Sequence, residues 1–275
     1  MTDETRSSPA TAGSGRPSSD SGARDPNPGD VWPVYSGKSF NIWEPDTGAY
    51  YDSVDAVSIT THLHRRRLSQ SRTARSAFAG TADSLLRDAS TLSCRRARVV
   101  FRDVTNPTNT RTIVAALIPP RVVITNKGPY LLQTRGGCRD EAFVLGLLAS
   151  MIMDWCARRT VEMSLNFHVL NALPVPDPGE GHPVRDRVVE IAGRLAAVDD
   201  RFADWARNVG VPVGSVNDRK AKDDLIAELD ACVAHLYGLD EDDLAVLYST
   251  FDARRPDRYA EHHARVLTHY RRLTP

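Results

Sequence analysis

Lysine is scarce in this chain: 4 lysines stand against 31 arginines in 275 residues. Nothing in the sequence approaches the run of about 20 apolar residues that a membrane-crossing helix needs. The longest uncharged apolar stretch, Ala142 to Met153, predicts a buried helix instead. No CxxC pair links the four cysteines, Cys94, Cys138, Cys156 and Cys232. That spacing argues against a zinc site or a disulfide framework and predicts reduced thiols. Residues 1–30 lack an apolar signal-peptide core, so a cytoplasmic protein with no membrane partner is expected. The GK[ST] of a P-loop is absent, as is the D…(D/E)xK pattern of a metal-dependent nuclease.

The most local shortage is of acids. Residues 60–140 hold 15 Lys and Arg but only 4 Asp, a surplus of eleven positive charges. Residues 1–59 carry a deficit of five and residues 141–275 a deficit of six, so the whole chain is formally neutral. A basic block between acidic flanks points to a polyanion partner. Part of the arginine excess is also what a GC-rich coding sequence produces.

The basic block contains the stretch that organises the chain, Arg95 to Thr125. Val99 to Phe101, Thr112 to Ile118 and Val122 to Thr125 are rich in β-branched residues. Asn106-Pro107-Thr108-Asn109 and Pro119-Pro120 separate them. Thr112 to Ile118 lacks polar/apolar alternation, as in a strand covered on both faces. Arg98, Arg102, Arg111 and Arg121 stand at the strand mouths, which predicts one small sheet presenting guanidinium groups at one end.

Before this sheet, residues 1–30 are Ser, Gly, Pro and charge and predict a disordered tail. Trp32, Tyr35, Phe40 and Trp43 then surround Ser36-Gly37-Lys38. Such a cluster either stacks on bases with Lys38 at a phosphate, or covers the core as an edge hairpin. Residues 53–79 predict a mainly helical segment with Arg65, Arg66, Arg67, Arg72 and Arg75 spread around it, either a solvated face or a phosphate-facing one. After the sheet come the Asn126-Lys127-Gly128-Pro129 turn, a short strand at Tyr130 to Gln133, and a basic loop holding Arg135, Gly136 and Gly137.

The remainder reads as helical. Phe143, Val144, Leu147, Leu148, Met151, Ile152 and Trp155 predict a core helix from Asp140 to Arg159. Met163 to Pro176 reads as strand, turn, strand. Helices are expected over 183–209, 219–237, 240–247 and 259–273, with Gly238 ending the second. The fold class is therefore α+β: a small mixed or antiparallel β-rich recognition module, residues 31–176, packed with a C-terminal helical layer, residues 177–275.

Several local patterns in this order match a known family. They are Tyr35-Ser36-Gly37-Lys38, Asn109 to Pro119 (NTRTIVAALIP), Leu147 to Asp154 (LLASMIMD), Leu165 to Pro176 (LNFHVLNALPVP), and Leu229-Asp230-Ala231 running to Tyr237-Gly238-Leu239. The series resembles the C-terminal, TaqI-like target-recognition region of N6-adenine DNA methyltransferases from restriction–modification and phage-defence systems. It covers residues 31–251. The resemblance implies a DNA-binding specificity module with double-stranded DNA as partner. That family also carries a glycine-rich S-adenosylmethionine loop and an Asn/Asp-Pro-Pro-Tyr/Phe motif in a separate catalytic domain. Neither motif occurs here, since Asn27-Pro28 and Asn106-Pro107 lack the second proline and the aromatic.

The expectation is thus a chain with no methyltransferase activity by itself. Any S-adenosylmethionine belongs to a catalytic partner subunit. Base-edge contacts are expected from Arg98, Arg102, Arg111, Arg121 and Arg135, because Arg paired with guanine is the commonest specific contact. Phosphate contacts are expected from Lys38, Arg65, Arg66, Arg67 and Lys127. The alternatives are a protein-docking subunit, with the arginines at its interface, or an inactive remnant of a split methyltransferase.

Overall fold

The computed structural model describes residues 25–251 and 259–273. The expected disordered tail, up to residue 24, lies outside the described residues. The architecture is α+β. Strand β1 (Val31–Tyr35) pairs antiparallel with β2 (Asp52–Asp55), Trp32 facing Val54. Helix α1 (Ala56–Gln70) follows directly, capped by the Asp55 carboxylate, which accepts from the Ser58 N–H at 2.8 Å. Helix α1 ends at Gln70. Turns then lead to the short α2 (Asp83–Arg87).

Strands β3 (Arg98–Phe101) and β4 (Ala115–Ile118) form an antiparallel pair, Val99 opposite Leu117. Every residue of both is buried, as the unalternating pattern required. The third expected strand, β5 (Val123–Ile124), does not join them. It pairs parallel with β1 in a three-stranded mixed sheet. The corner Pro119-Pro120-Arg121 turns the chain out of the β4 plane. Arg121 sits there at φ +63°, held by its N–H on the Cys94 carbonyl at 2.7 Å. Tyr130 makes a single bridge to Val100 in place of a fourth strand.

The two faces of the β3/β4 pair serve different cores. Val99, Phe101, Ala115 and Leu117 turn toward the helices, while Val100, Ala116 and Ile118 pack against Tyr35, Phe40 and Val122. On the helical side, α3 (Cys138–Ala149) lies on the strands and packs on α6 (Pro183–Ala196). Helix α6 packs on α8 (Arg219–Tyr237), and α8 on α10 (Ala260–Leu273). One continuous apolar cluster runs from Trp43 and β3 through these helices to Val266.

Three expected elements are corrected. The helix expected over Asp140 to Arg159 is broken at Ser150 into α3 and α4 (Met151–Ala157). Ser150 takes ψ 155°, and its hydroxyl accepts from the Met153 N–H at 3.1 Å. Partners distant in sequence satisfy the other groups at the break. Arg111 donates to the carbonyls of Ala149 and Ser150 at 2.7 and 2.8 Å, and Asp230 accepts from the Met151 N–H at 2.8 Å. Met163 to Pro176 is not two strands. Asn166 caps a one-turn helix, α5 (Phe167–Leu170), by accepting from the Val169 N–H. The helix expected over 183–209 ends at Ala197 (ψ 67°). After a turn capped by Asp199 it restarts as α7 (Ala203–Val209), ending on Gly210 at φ +91°. Helix α9 (Glu241–Ser249) opens on the carboxylate cap of Asp240, as its acids led one to expect.

Candidate functional site

The arginines of the organising stretch do not share one face. Arg98 is 3% exposed and donates to the carbonyls of Ser93 and Val122 at 3.1 and 2.8 Å. Arg102 donates to the Phe40 carbonyl at 2.6 Å, beside the Phe40 ring. Arg111 closes the α3/α4 break and pairs with the buried Asp154 at 3.3 Å. Each therefore satisfies backbone carbonyls, Arg98 and Arg102 within the β-rich part and Arg111 where that part meets the helices. The expected sheet end presenting Arg98, Arg102 and Arg111 together is absent from the structure. Arg121 occupies the left-handed corner described above, half-buried. Of the expected base-reading set, Arg135 alone is exposed, on the Gly136-Gly137 loop.

The expected phosphate contacts divide as well. Arg67 is 7% exposed and points inward, donating to the Leu86 and Asp88 carbonyls and the Thr91 hydroxyl at 2.8, 2.7 and 2.9 Å. Its neighbours Arg65 and Arg66 stay exposed, as do Arg72 and Arg75 on the turns after α1. Lys38 is exposed on the Ser36-Gly37 turn, and Lys127 pairs with Asp103 at 3.3 Å. These two turns are adjacent. A Cβ on Gly37 would stand 3.3 Å from the Lys127 carbonyl oxygen, so the close approach there uses the missing side chain. The aromatics around Lys38 cover the core, as the second alternative had it, but not from an edge: Trp32, Tyr35, Phe40 and Trp43 are all buried, and β1 lies between β2 and β5.

The four acids of the basic block are all engaged. Asp83 pairs with Arg87 at 2.6 Å, and Asp88 accepts from the Ser90 N–H at 2.8 Å. Asp103 meets Lys127, and Asp140 meets Arg185 and the Gly137 N–H. None of them neutralises Arg65, Arg66, Arg72, Arg75 or Arg135. These five guanidinium groups have neither a hydrogen bond nor an ion pair among the described residues. The part of the charge surplus that reaches the surface is therefore concentrated on α1 and its C-terminal turns, while Arg67 and Arg98 carry another part of it inside.

Beside α1 the same region opens into a cleft of about 270 Å³. Its walls are apolar and aromatic: Leu63 of α1, Phe78, Leu92, Val123 and Tyr130. Its polar lining includes Arg66 at the rim and Arg67 and Arg98 within. The Arg98 guanidinium lies 5.3 Å from the Tyr130 ring centroid. Neither Arg67 nor Arg98 has a carboxylate partner, and the Nε of each lacks a hydrogen-bond partner. Burial pushes both guanidinium groups down from their ordinary value, Arg67 against the pull of Asp88, yet an arginine keeps its charge in proteins. Burial likewise raises the Cys94 thiol at the cleft wall, so it is no activated nucleophile.

Sequence reasoning missed the cleft residues Phe78, Tyr130 and Cys94. It also gave no role to Asp154 and Asp230, quoted only as parts of patterns. Both are buried polar hubs. Asp154 accepts from the Ile113 N–H at 2.7 Å and pairs with Arg111 and Arg158. Asp230 accepts from the Met151 N–H, the Tyr248 hydroxyl and His262. Asp154 thus ties α4 to the segment entering β4, and Asp230 ties α4 to α9 and α10.

No family model matches the sequence, and no curated protein matches it. Among solved structures, the chain is similar to the Type IIL restriction-modification enzyme MmeI in complex with DNA. The TM-score is 0.39 and the identity 13%, covering 80% of this chain and 30% of that one.

Proposed function

We propose that this chain is a DNA-binding specificity module of an adenine-methylating restriction–modification system, acting with a separate catalytic partner. The partner would supply methyl transfer and hold S-adenosylmethionine. The observation that carries the reading is the set of exposed, unpaired guanidinium groups along α1 and the turns after it: Arg65, Arg66, Arg72 and Arg75. Cations crowded without acids repel one another, and a phosphate backbone relieves that repulsion while releasing its counterions. A merely solvated face would be expected to intersperse acids, and the four acids of this block are engaged elsewhere. In this arrangement α1 sets position on the backbone, and Arg135 on its glycine loop is the base-reading candidate.

The test is duplex DNA binding by the full chain between 50 and 200 mM salt. Each phosphate contact contributes about 0.9 to the slope of log affinity against log salt. The triple variant Arg65→Ala, Arg72→Ala, Arg75→Ala should reduce that slope by roughly 2–3 and weaken binding at the low-salt end. All three side chains are exposed, so folding is retained. Salt-independent binding, or binding equal in the variant, overturns the reading.

A further inference from the structure

Arg67 and Arg98 present a charge arrangement that duplex binding does not use. Both are more than nine-tenths buried, both line the cleft between α1 and β5, and both lack a carboxylate. Backbone carbonyls and the Thr91 hydroxyl take part of their donor capacity; the Nε of each is buried without a partner, and one N–H on Arg67 Nη1 and one on each Nη of Arg98 are left over. Two desolvated cations lining one cleft, with the Asp88 charge near Arg67 but no carboxylate bonded to either, are costly unless an anion completes them. A third guanidinium, that of Arg66, waits at the rim and is exposed. Guanidinium forks suit phosphate oxygens above other small anions, since two N–H groups of one fork meet two oxygens.

The rest of the cleft specifies the other end of the ligand. Phe78 and Tyr130 are ring walls, and Leu63, Leu92 and Val123 are aliphatic ones. Bare phosphate or sulfate would leave these apolar walls wet. The volume of about 270 Å³ equals that of about nine waters at roughly 30 Å³ each. This is room for one ring, one sugar and a phosphate, and far too little for a duplex.

We infer that the α1/β5 cleft binds a single nucleotide unit, its phosphate on Arg66, Arg67 and Arg98 and its ring against Phe78 and Tyr130. The inference goes beyond the duplex-binding reading and does not depend on it. The unit has two possible sources: a free nucleoside monophosphate, or a nucleotide turned out of a DNA strand, whose unstacking costs least where it is already unpaired.

The experiment titrates the full chain, by calorimetry and by thermal shift, with inorganic phosphate and with each of the four deoxynucleoside 5′-monophosphates. A second arm compares a fully paired duplex with the same duplex carrying a one-nucleotide bulge. At least one monophosphate is expected to bind tenfold or more tighter than inorganic phosphate and to raise the melting temperature. Arg66→Glu, at an exposed position, should weaken that binding at least tenfold. Arg98→Met should abolish it, and where Arg98→Met does not fold, Arg66→Glu carries the test. Tighter binding of the bulged duplex, competed away by free monophosphate, supports the strand as the source. Monophosphate binding without bulge preference supports the free nucleotide. Binding of neither monophosphates nor the bulge above inorganic phosphate overturns the inference, even if the paired duplex binds. Monophosphate binding unchanged in Arg66→Glu overturns it too. Failure of the paired duplex alone removes only the duplex-binding reading.

Discussion

Arg67 and Arg98 remain charged inside the fold because carbonyl oxygens surround them, and each ties a loop to a regular element. Arg67 draws residues 86–91 onto α1, and Arg98 draws residues 93 and 122 onto β3. Part of this was legible. Ala56, Thr60, Leu63 and Arg67 recur at helical spacing on the stripe that α1 turns inward, whereas Arg65 and Arg66 fall off it. Arg98 likewise lies in a run whose neighbours are apolar on both sides. What the sequence could not show is which carbonyls stand within reach, because those come from distant segments, 39 residues away for Arg111 and Ser150 and 62 for Arg102 and Phe40. A second residue-scale device is Asp46. Burial would raise its carboxyl. Hydrogen bonds from Arg201, the Gly48 N–H and Tyr50 outweigh that and hold it below the usual carboxylate range. A folded-state value below the unfolded one gives stability that is present above about pH 4 and lost as the pH falls through the folded value. Asp46→Asn should therefore unfold at lower urea than wild type at pH 7, and the two urea midpoints should converge as the pH is lowered from 4 toward 2. A constant gap across that range would show that packing, not charge, makes the difference.

At the scale of elements, the chain's helices were legible where apolar spacing is long and uninterrupted. Helix α8 matches the expected 219–237 at both ends, and Gly238 closes it at φ +65°. The breaks were less legible. The α3/α4 interruption is stabilised by Arg111 and Asp230, one before it in sequence and one far after it. Periodicity within Asp140 to Arg159 continues straight through Ser150, so the N-cap character of that one serine is the local signal of the break. The contact of α3 with α6 gives a test of how closely these elements pack. Gly146 is buried mid-helix, and a Cβ there would stand 2.8 Å from Val188 Cγ1 and 3.2 Å from the Ala192 Cβ. Helix propensity favours alanine over glycine by about 1 kcal/mol. Overpacking against a stiff β-branched side chain costs about 1–3 kcal/mol and opposes it. The steric effect should win, so Gly146→Ala is expected to lower unfolding stability by about 1 kcal/mol in urea titration. A stabilised variant would mean that α6 can retreat without loss.

Across the whole molecule, charge and core follow different divisions. The apolar cluster runs without interruption from Trp43 to Val266, so the basic β-rich part and the acidic helices pack on common side chains. The charge does not mix in the same way: the surplus of eleven lies in residues 60–140 and the deficit of six in residues 141–275. Within each part many charges are paired, as Arg187 is with Glu228 and Arg271 with Glu241 in the helices. The arginines of α1 are not. A polyanion approaching such a molecule at low salt feels its field over roughly 10–30 Å, the screening length between 0.1 and 0.01 M. It should be drawn to α1 and repelled by the acidic start of α9, Glu241 to Asp243. Amide hydrogen exchange with and without duplex DNA at about 0.05 M salt should reflect that division. Added protection is expected over 56–98, where α1 and the cleft lie, and around Arg135. Peptides from α8 and α9 should exchange unchanged. Protection centred on α8 and α9 would place the nucleic acid on the wrong side of the charge distribution, and the arginines of α1 would then need a different anionic partner.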